Sequence, residues 1–245
     1  ISLGLVGSEM CIRDRDMDKD GPLCAEQMLY AACFRAMEEI SEQIGKDGSV
    51  YRAEYEKLTA VIEKFFWDEE KGAYIDSFTS GRRNVTRHAN IFAILFSVAD
   101  EKKQEKILKN VLENDEIPAI TTPYFNFFEL DVLCRMGKLT EVLDKIRSYW
   151  GGMLDLGAVT FWEEYDPSVP KEEQYDMYGD HFGKSLCHAW AASPIYFLAK
   201  YFAGLDLVNK DGVTYILKPQ MQYFTELDCC LLYTSDAADD LTRVD

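Results

Sequence analysis

From residue 23 onward, apolar residues recur every three or four positions, and the chain reads as one helix after another. The first segment, Leu23–Ile44, carries Leu29, Ala32, Cys33, Ala36, Met37 and Ile40 at helical spacing. "KDGS" interrupts it, and Tyr51–Phe66 resumes the period with Tyr55, Leu58, Val61, Ile62, Phe65 and Phe66. A turn-rich stretch, "WDEEKGAYIDSF", follows. His88–Val98 is nearly all apolar, which predicts an inner helix covered on every side. Glu101–Leu112 keeps only an Ile107–Leu108–Val111–Leu112 stripe, which predicts an outer helix with one wet face. Tyr124–Met136 and Leu139–Trp150 repeat that alternation, and the long apolar run Ser185–Phe202 closes the series.

Inner helix followed by outer helix, joined by short Gly- or Pro-marked loops, predicts an all-α fold of nested antiparallel hairpins. No repeat of roughly 33–47 residues is present, so an open solenoid fits less well than a ring of hairpins. After Phe202 the texture changes. "GVTYILKPQ" alternates at Val213, Tyr215 and Leu217 behind a glycine, as the opening strands of a β domain would. The ends differ again: "MCIRD" at Met10–Asp14 and "CLLYTS" at Cys230–Ser235 have codings that contain reverse complements of each other. Both also resemble the translated end of a transposon-type sequencing adapter. The expected division is therefore 1–15 and 229–245 as adapter-derived sequence, 16–205 as part of the helical ring, and 206–228 as the start of the β domain.

Charge narrows the function. The chain has 26 Lys and Arg against 43 Asp and Glu, a net −17, and the acidic excess persists when the end segments are set aside. Such a surface repels phosphate backbones, which argues against a nucleic-acid partner. No apolar run reaches the ~18 residues of a membrane span. Outside the end segments Cys24, Cys33, Cys134 and Cys187 are scattered, without a CxxC spacing, and read as reduced, buried thiols; no metal site is expected. A cytoplasmic setting is favoured, and oligomeric state is not specified.

Candidate chemistry concentrates in "GGMLDLGAVTFWEEYDP", Gly151–Pro167. Glu163 and Glu164 follow Phe161 and Trp162, with Asp155 and Asp166 nearby. Gly151, Gly152 and Gly157 are poor helix formers, so the stretch is predicted to be irregular or extended. If Thr160–Glu164 is extended, the two glutamates point to opposite sides and only one can face a given cavity. A solvated acidic loop is the alternative. "HFGKSLCHAW" places His181 in a loop and His188 inside the predicted last helix, as a core histidine or a ligand. In "TTPYFNFFEL", Thr122 is predicted to cap a helix whose first turn holds Pro123, with Glu129 on its outer face. Arg87, His88 and Asn90 in "RHAN" are read as polar groups capping an inner helix.

Three blocks together resemble one family: "TTPYFNFFELDVLCRMGK" (Thr121–Lys138), "WGGMLDLGAVTFWEEYDPS" (Trp150–Ser168) and "HFGKSLCHAWAASPIYFLAKYFAG" (His181–Gly204). They are similar to the catalytic domain of bacterial α-L-rhamnosidases, and the likeness runs from Gly21 to Asp228. The resemblance implies a partial (α/α)6 toroid of helical hairpins leading into a C-terminal β-sandwich. It also implies an inverting glycoside hydrolase that releases terminal α-L-rhamnose from rhamnosides or oligosaccharides, with no cofactor. By position, Glu163 matches the family's general base, and Trp162 and His188 match residues at its sugar cavity. The sequence departs at Val159, where the motif often has threonine. The family's general acid lies N-terminal to the matching blocks, so this chain alone is expected to be inactive. Two other readings remain open: a different (α/α)6 carbohydrate-active enzyme, and a non-catalytic helical scaffold.

Overall fold

The structure is a computed structural model that describes residues 17–207 and 215–227. The two end segments 1–15 and 229–245, and Val213 of the predicted strand, lie outside the described residues. Helices α1 (Cys24–Gln43) and α2 (Ser49–Phe66) form an antiparallel pair. A short hairpin follows, β1 (Trp67–Asp68) with β2 (Ala73–Tyr74), in register Trp67 to Tyr74. Next come α3 (Arg87–Leu95), α4 (Glu101–Ile107), α5 (Pro123–Arg135), α6 (Leu139–Lys145), α7 (Gly151–Asp155) and α8 (Ser193–Phe197). Helices α4, α6 and α8 each run on into a π-helical turn, Leu108–Leu112, Ile146–Trp150 and Leu198–Phe202. The final pair is β3 (Leu205–Leu207) with β4 (Tyr215–Leu217), antiparallel.

The inner and outer roles follow the hydrophobic pattern. Every residue of α3 from Arg87 to Ile94 is buried, whereas in α4 only Ile107 is. Burying Ile91, Phe92 and Ile94 at about 1.5–3 kcal/mol each makes α3 stable only with neighbours on all sides. Those neighbours are α1 and α5, and α5 in turn meets α8. So α1, α3, α5 and α8 form a succession of inner helices, with α2, α4 and α6 outside them. Apolar residues fall into two clusters, one spanning α1 to α5 and one spanning α5 to α8.

Several sequence expectations are corrected. Helix α1 buries Cys24, Ala25, Met28, Ala31 and Ser41, while the predicted stripe is left out: Leu29 is 46 % and Ile40 50 % exposed. Periodicity finds an apolar face but not the neighbour it meets, and here small side chains face α1's partners. Cys33 and Cys187 are exposed; only Cys24 and Cys134 are buried, and burial raises both thiols, Cys134 to about 12. Glu129 is an inward group at 2 % exposure, because Arg87 (3.2 Å) and Lys145 (2.6 Å) both reach its Oε1. Burial pushes this carboxyl up, but those two cations outweigh it and hold it below the usual range. Arg87 also donates to the carbonyls of Leu112 (3.0 Å) and Pro118 (3.1 Å), tying the loop before α5 to the start of α3. The last helix is shorter than predicted. Residues 185–188 are not helical, a 3-10 turn spans Ala189–Ala191, and α8 begins at Ser193 with Pro194 in its first turn.

Helix continues through Gly151 and Gly152, where an irregular segment was predicted. At Gly152 the need is for space: an added Cβ would lie 2.8 Å from Cε1 and Cζ of Tyr165. The helix ends at Gly157, whose φ of 92° reverses the chain. Its N–H donates to the Leu154 carbonyl (2.8 Å) and that of Ala158 to the Met153 carbonyl (3.0 Å), the Schellman pattern.

In "RHAN", the Asn90 side chain exchanges hydrogen bonds with the backbone of Tyr74 (2.8 and 2.9 Å) and donates to the Thr86 carbonyl (2.9 Å). His88 Nδ1 lies 3.3 Å from Thr86 Oγ1, and its ring packs 4.2 Å from that of Phe125. Burial pushes its imidazole down to about 3 from 6.5; the Glu129 charge opposes the shift and Lys19 adds to it.

Two predictions follow from this packing. The unfolded chain protonates His88 near 6.5 and the folded chain only near 3, so its stabilisation is present above 6.5 and lost as pH falls toward 3. Between pH 7 and 5 this group alone should cost about 2 kcal/mol, and His88→Gln should flatten the pH dependence of the urea midpoint by that amount. An equal drop in wild type and variant would show that His88 is not buried as described. Gly152→Ala, ordinarily helpful in a helix, should instead destabilise by about 1–3 kcal/mol because of the Tyr165 ring; a raised melting temperature would contradict that contact.

Candidate active site

The reversal at Gly157 sends residues 158–165 back across the N-terminal end of α5. Tyr165 N–H donates to the Thr121 carbonyl (3.0 Å), and the Tyr149 hydroxyl reaches the same oxygen (2.5 Å). A second irregular segment, 185–188, lies alongside. Glu163 N–H donates to the Ser185 carbonyl and His188 N–H to the Phe161 carbonyl, each at 2.9 Å. The Thr160 hydroxyl donates to the Leu186 carbonyl. Trp150 Nε1 donates to the Ala191 carbonyl at 2.8 Å, anchoring the far end of this ribbon to the outer helix.

Within the ribbon, alternation decides which side chain goes where. Trp162 is 3 % exposed and lies in the second apolar cluster, edge-on to Tyr175 at 5.5 Å. Its ring offers no open face. Glu163 points the other way and is half-buried. Its Oε1 accepts from the Tyr178 hydroxyl (2.7 Å) and its Oε2 from the Ser185 N–H (3.1 Å). Glu164 has a separate partner, the Thr121 hydroxyl, at 3.0 Å from its Oε1. The adjacent glutamates thus have separate environments, as an extended segment requires. Val159 is 94 % exposed and takes no part.

His188 precedes the 3-10 turn in an extended conformation rather than sitting inside a helix. Its ring is 4.5 Å from that of Trp190, which in turn lies 4.9 Å from Tyr124 at the first turn of α5. Trp190 is 42 % exposed, so Trp190, not Trp162, presents the open aromatic surface. The donors to Glu163 are Tyr178 and Ser185. His181 lies on the surface, with Nδ1 2.5 Å from Asp176 Oδ1.

Lys184 is buried beside this site. Burial pushes its ammonium below the usual range, while Glu164, Asp166, Glu163 and Asp176 pull it back up. Its charge therefore lies where it offsets the acidic loop. A separate depression of about 380 Å³ on the outer surface is lined by Glu56, Thr59, Ala60, Glu63, Val98, Asp100 and Lys103, and shares no residue with this site.

The family model for the bacterial α-L-rhamnosidase six-hairpin glycosidase domain matches residues 9–202. A rhamnosidase from Klebsiella oxytoca, solved with rhamnose bound, is 28 % identical with a TM-score of 0.63, over 73 % of this chain and 34 % of that one. A GH78 family rhamnosidase of Bacillus sp. GL1 is 26 % identical with a TM-score of 0.70, over 81 % of this chain and 21 % of that one. The chain thus spans about a third and a fifth of the lengths of these two proteins. No curated protein matches it significantly. With this match over most of its length, the chain belongs to the bacterial α-L-rhamnosidase six-hairpin glycosidase family.

Proposed function

We propose that this chain carries the general base of an inverting glycoside hydrolase that removes terminal α-L-rhamnose from rhamnosides, and that Glu163 is that base. The supporting observation is the Glu163 carboxylate, held half-buried by a hydroxyl and an amide donor on the ribbon that also carries His188 and leads to Trp190. The rhamnose bound to the Klebsiella oxytoca enzyme favours that sugar.

Inversion needs two carboxyl groups about 6.5–9.5 Å apart, one to activate water and one to protonate the leaving oxygen. Each Glu163 oxygen has two lone pairs and uses one for a protein donor, leaving a lone pair free to hold water. The water gives that oxygen a proton as it attacks the anomeric carbon on the face opposite the leaving group. The glycosidic oxygen takes its proton from the second carboxyl, supplied in this reading by sequence N-terminal to the helical segment. Trp190 and Tyr124 offer the apolar face for the methyl and C–H groups of a 6-deoxy sugar, and His188 a hydrogen-bonding edge. Trp162 acts from the core, by fixing the ribbon.

Glu163→Gln in the full-length gene product should lower turnover of an aryl α-L-rhamnoside by about 10²–10⁴-fold with the fold intact, and Glu164→Gln should cost far less. Equal losses would remove the assignment between the two. Proton NMR during hydrolysis should show β-L-rhamnose first; the α anomer first would rule out inversion.

A further inference from the structure

Tyr178 reaches Glu163 from an unusual backbone position. Met177 and Asp180 pair across a two-residue turn, with Met177 N–H to Asp180 carbonyl at 3.0 Å and the reverse bond at 2.9 Å. The two central residues, Tyr178 and Gly179, have φ of 58° and 82°. Positive φ at both is the type I′ arrangement, whose first position favours Asn, Asp or Gly. A bulky aromatic residue there is an outlier, held in a left-handed conformation that side chains with a Cβ seldom adopt.

Core packing does not account for it, since the ring is 45 % exposed. What the conformation achieves is delivery of the phenol O–H to Glu163 Oε1 at 2.7 Å. Five residues beyond the turn's end, Ser185 brings its N–H to the other oxygen. One excursion of the chain, 177–185, therefore supplies both donors to a single carboxylate.

We propose that Tyr178 is a positioning residue for Glu163, fixing the orientation of its carboxylate through the phenol hydroxyl; this rests on the reading of Glu163 as the base. The turn trades local strain for a donor that points at one oxygen.

The test uses the full-length gene product and an aryl α-L-rhamnoside. Tyr178→Phe keeps the ring and should lower kcat about 10-fold while leaving KM within about two-fold, the split expected of a misaligned base rather than of lost substrate binding. Tyr178→Gly relieves the backbone and should melt no lower than wild type, yet lose at least as much turnover. Unchanged kcat in Tyr178→Phe, with Glu163→Gln still inactive, would overturn the positioning role and leave the base in place. Full turnover in Glu163→Gln would overturn both.

Discussion

Two main-chain hydrogen bonds, from Glu163 to Ser185 and from His188 to Phe161, hold Glu163 and His188 side by side. They join segments more than twenty residues apart into a two-stranded ribbon laid over the start of α5. Once the ribbon exists, its alternation sends Trp162 into the core and Glu163 away from it. The same pairing sets Ser185 opposite Glu163, so its carbonyl accepts the Glu163 N–H while its own N–H donates to the carboxylate. A carboxylate on a free loop would lack this orientation. A tryptophan immediately before it supplies the anchoring side chain.

The ribbon needs a rigid floor, and the buried charges provide one. Arg87 starts α3, Glu129 lies in α5 and Lys145 ends α6, so one ion cluster joins two inner helices and an outer one. Burying these charges is costly, and removing one partner of such a cluster typically costs about 3–5 kcal/mol. What the cluster gives is geometry. It fixes the start of α3 against the loop ahead of α5, and the next turn of that loop, at Thr121, receives both Tyr165 and Tyr149. Rhamnoside chemistry as proposed would depend on that chain of contacts, because a base misplaced by an ångström loses much of its effect.

Much of this was legible in the sequence where the signal is local. The near-absence of polar residues in His88–Val98 marked an inner helix. Period-2 reasoning at Thr160–Glu164 anticipated different surroundings for the two glutamates, and their hydrogen-bond partners do differ. Signals that depend on distant partners were not legible. Glu129 has the sequence context of a surface charge, and only Arg87 and Lys145, 42 and 16 residues away, make it a core group. Trp162 and Trp190 are equally apolar in sequence, and tertiary packing alone buries one and exposes the other. Tyr178 gave no signal at all, because its place in a left-handed turn contradicts local preference.

That contradiction has a physical logic shared with Gly152. At Gly152 the absent Cβ lets Tyr165 sit close, and Tyr165 pins the ribbon to Thr121. At Tyr178 a residue with a disfavoured backbone brings its hydroxyl to the carboxylate. Both departures from local preference serve the segment that holds Glu163, one by clearing space for Tyr165 and one by supplying a donor. Helical ring packing explains the long elements of this chain. The cluster of locally unfavourable choices within thirty residues of Glu163 is what helix packing alone would not require.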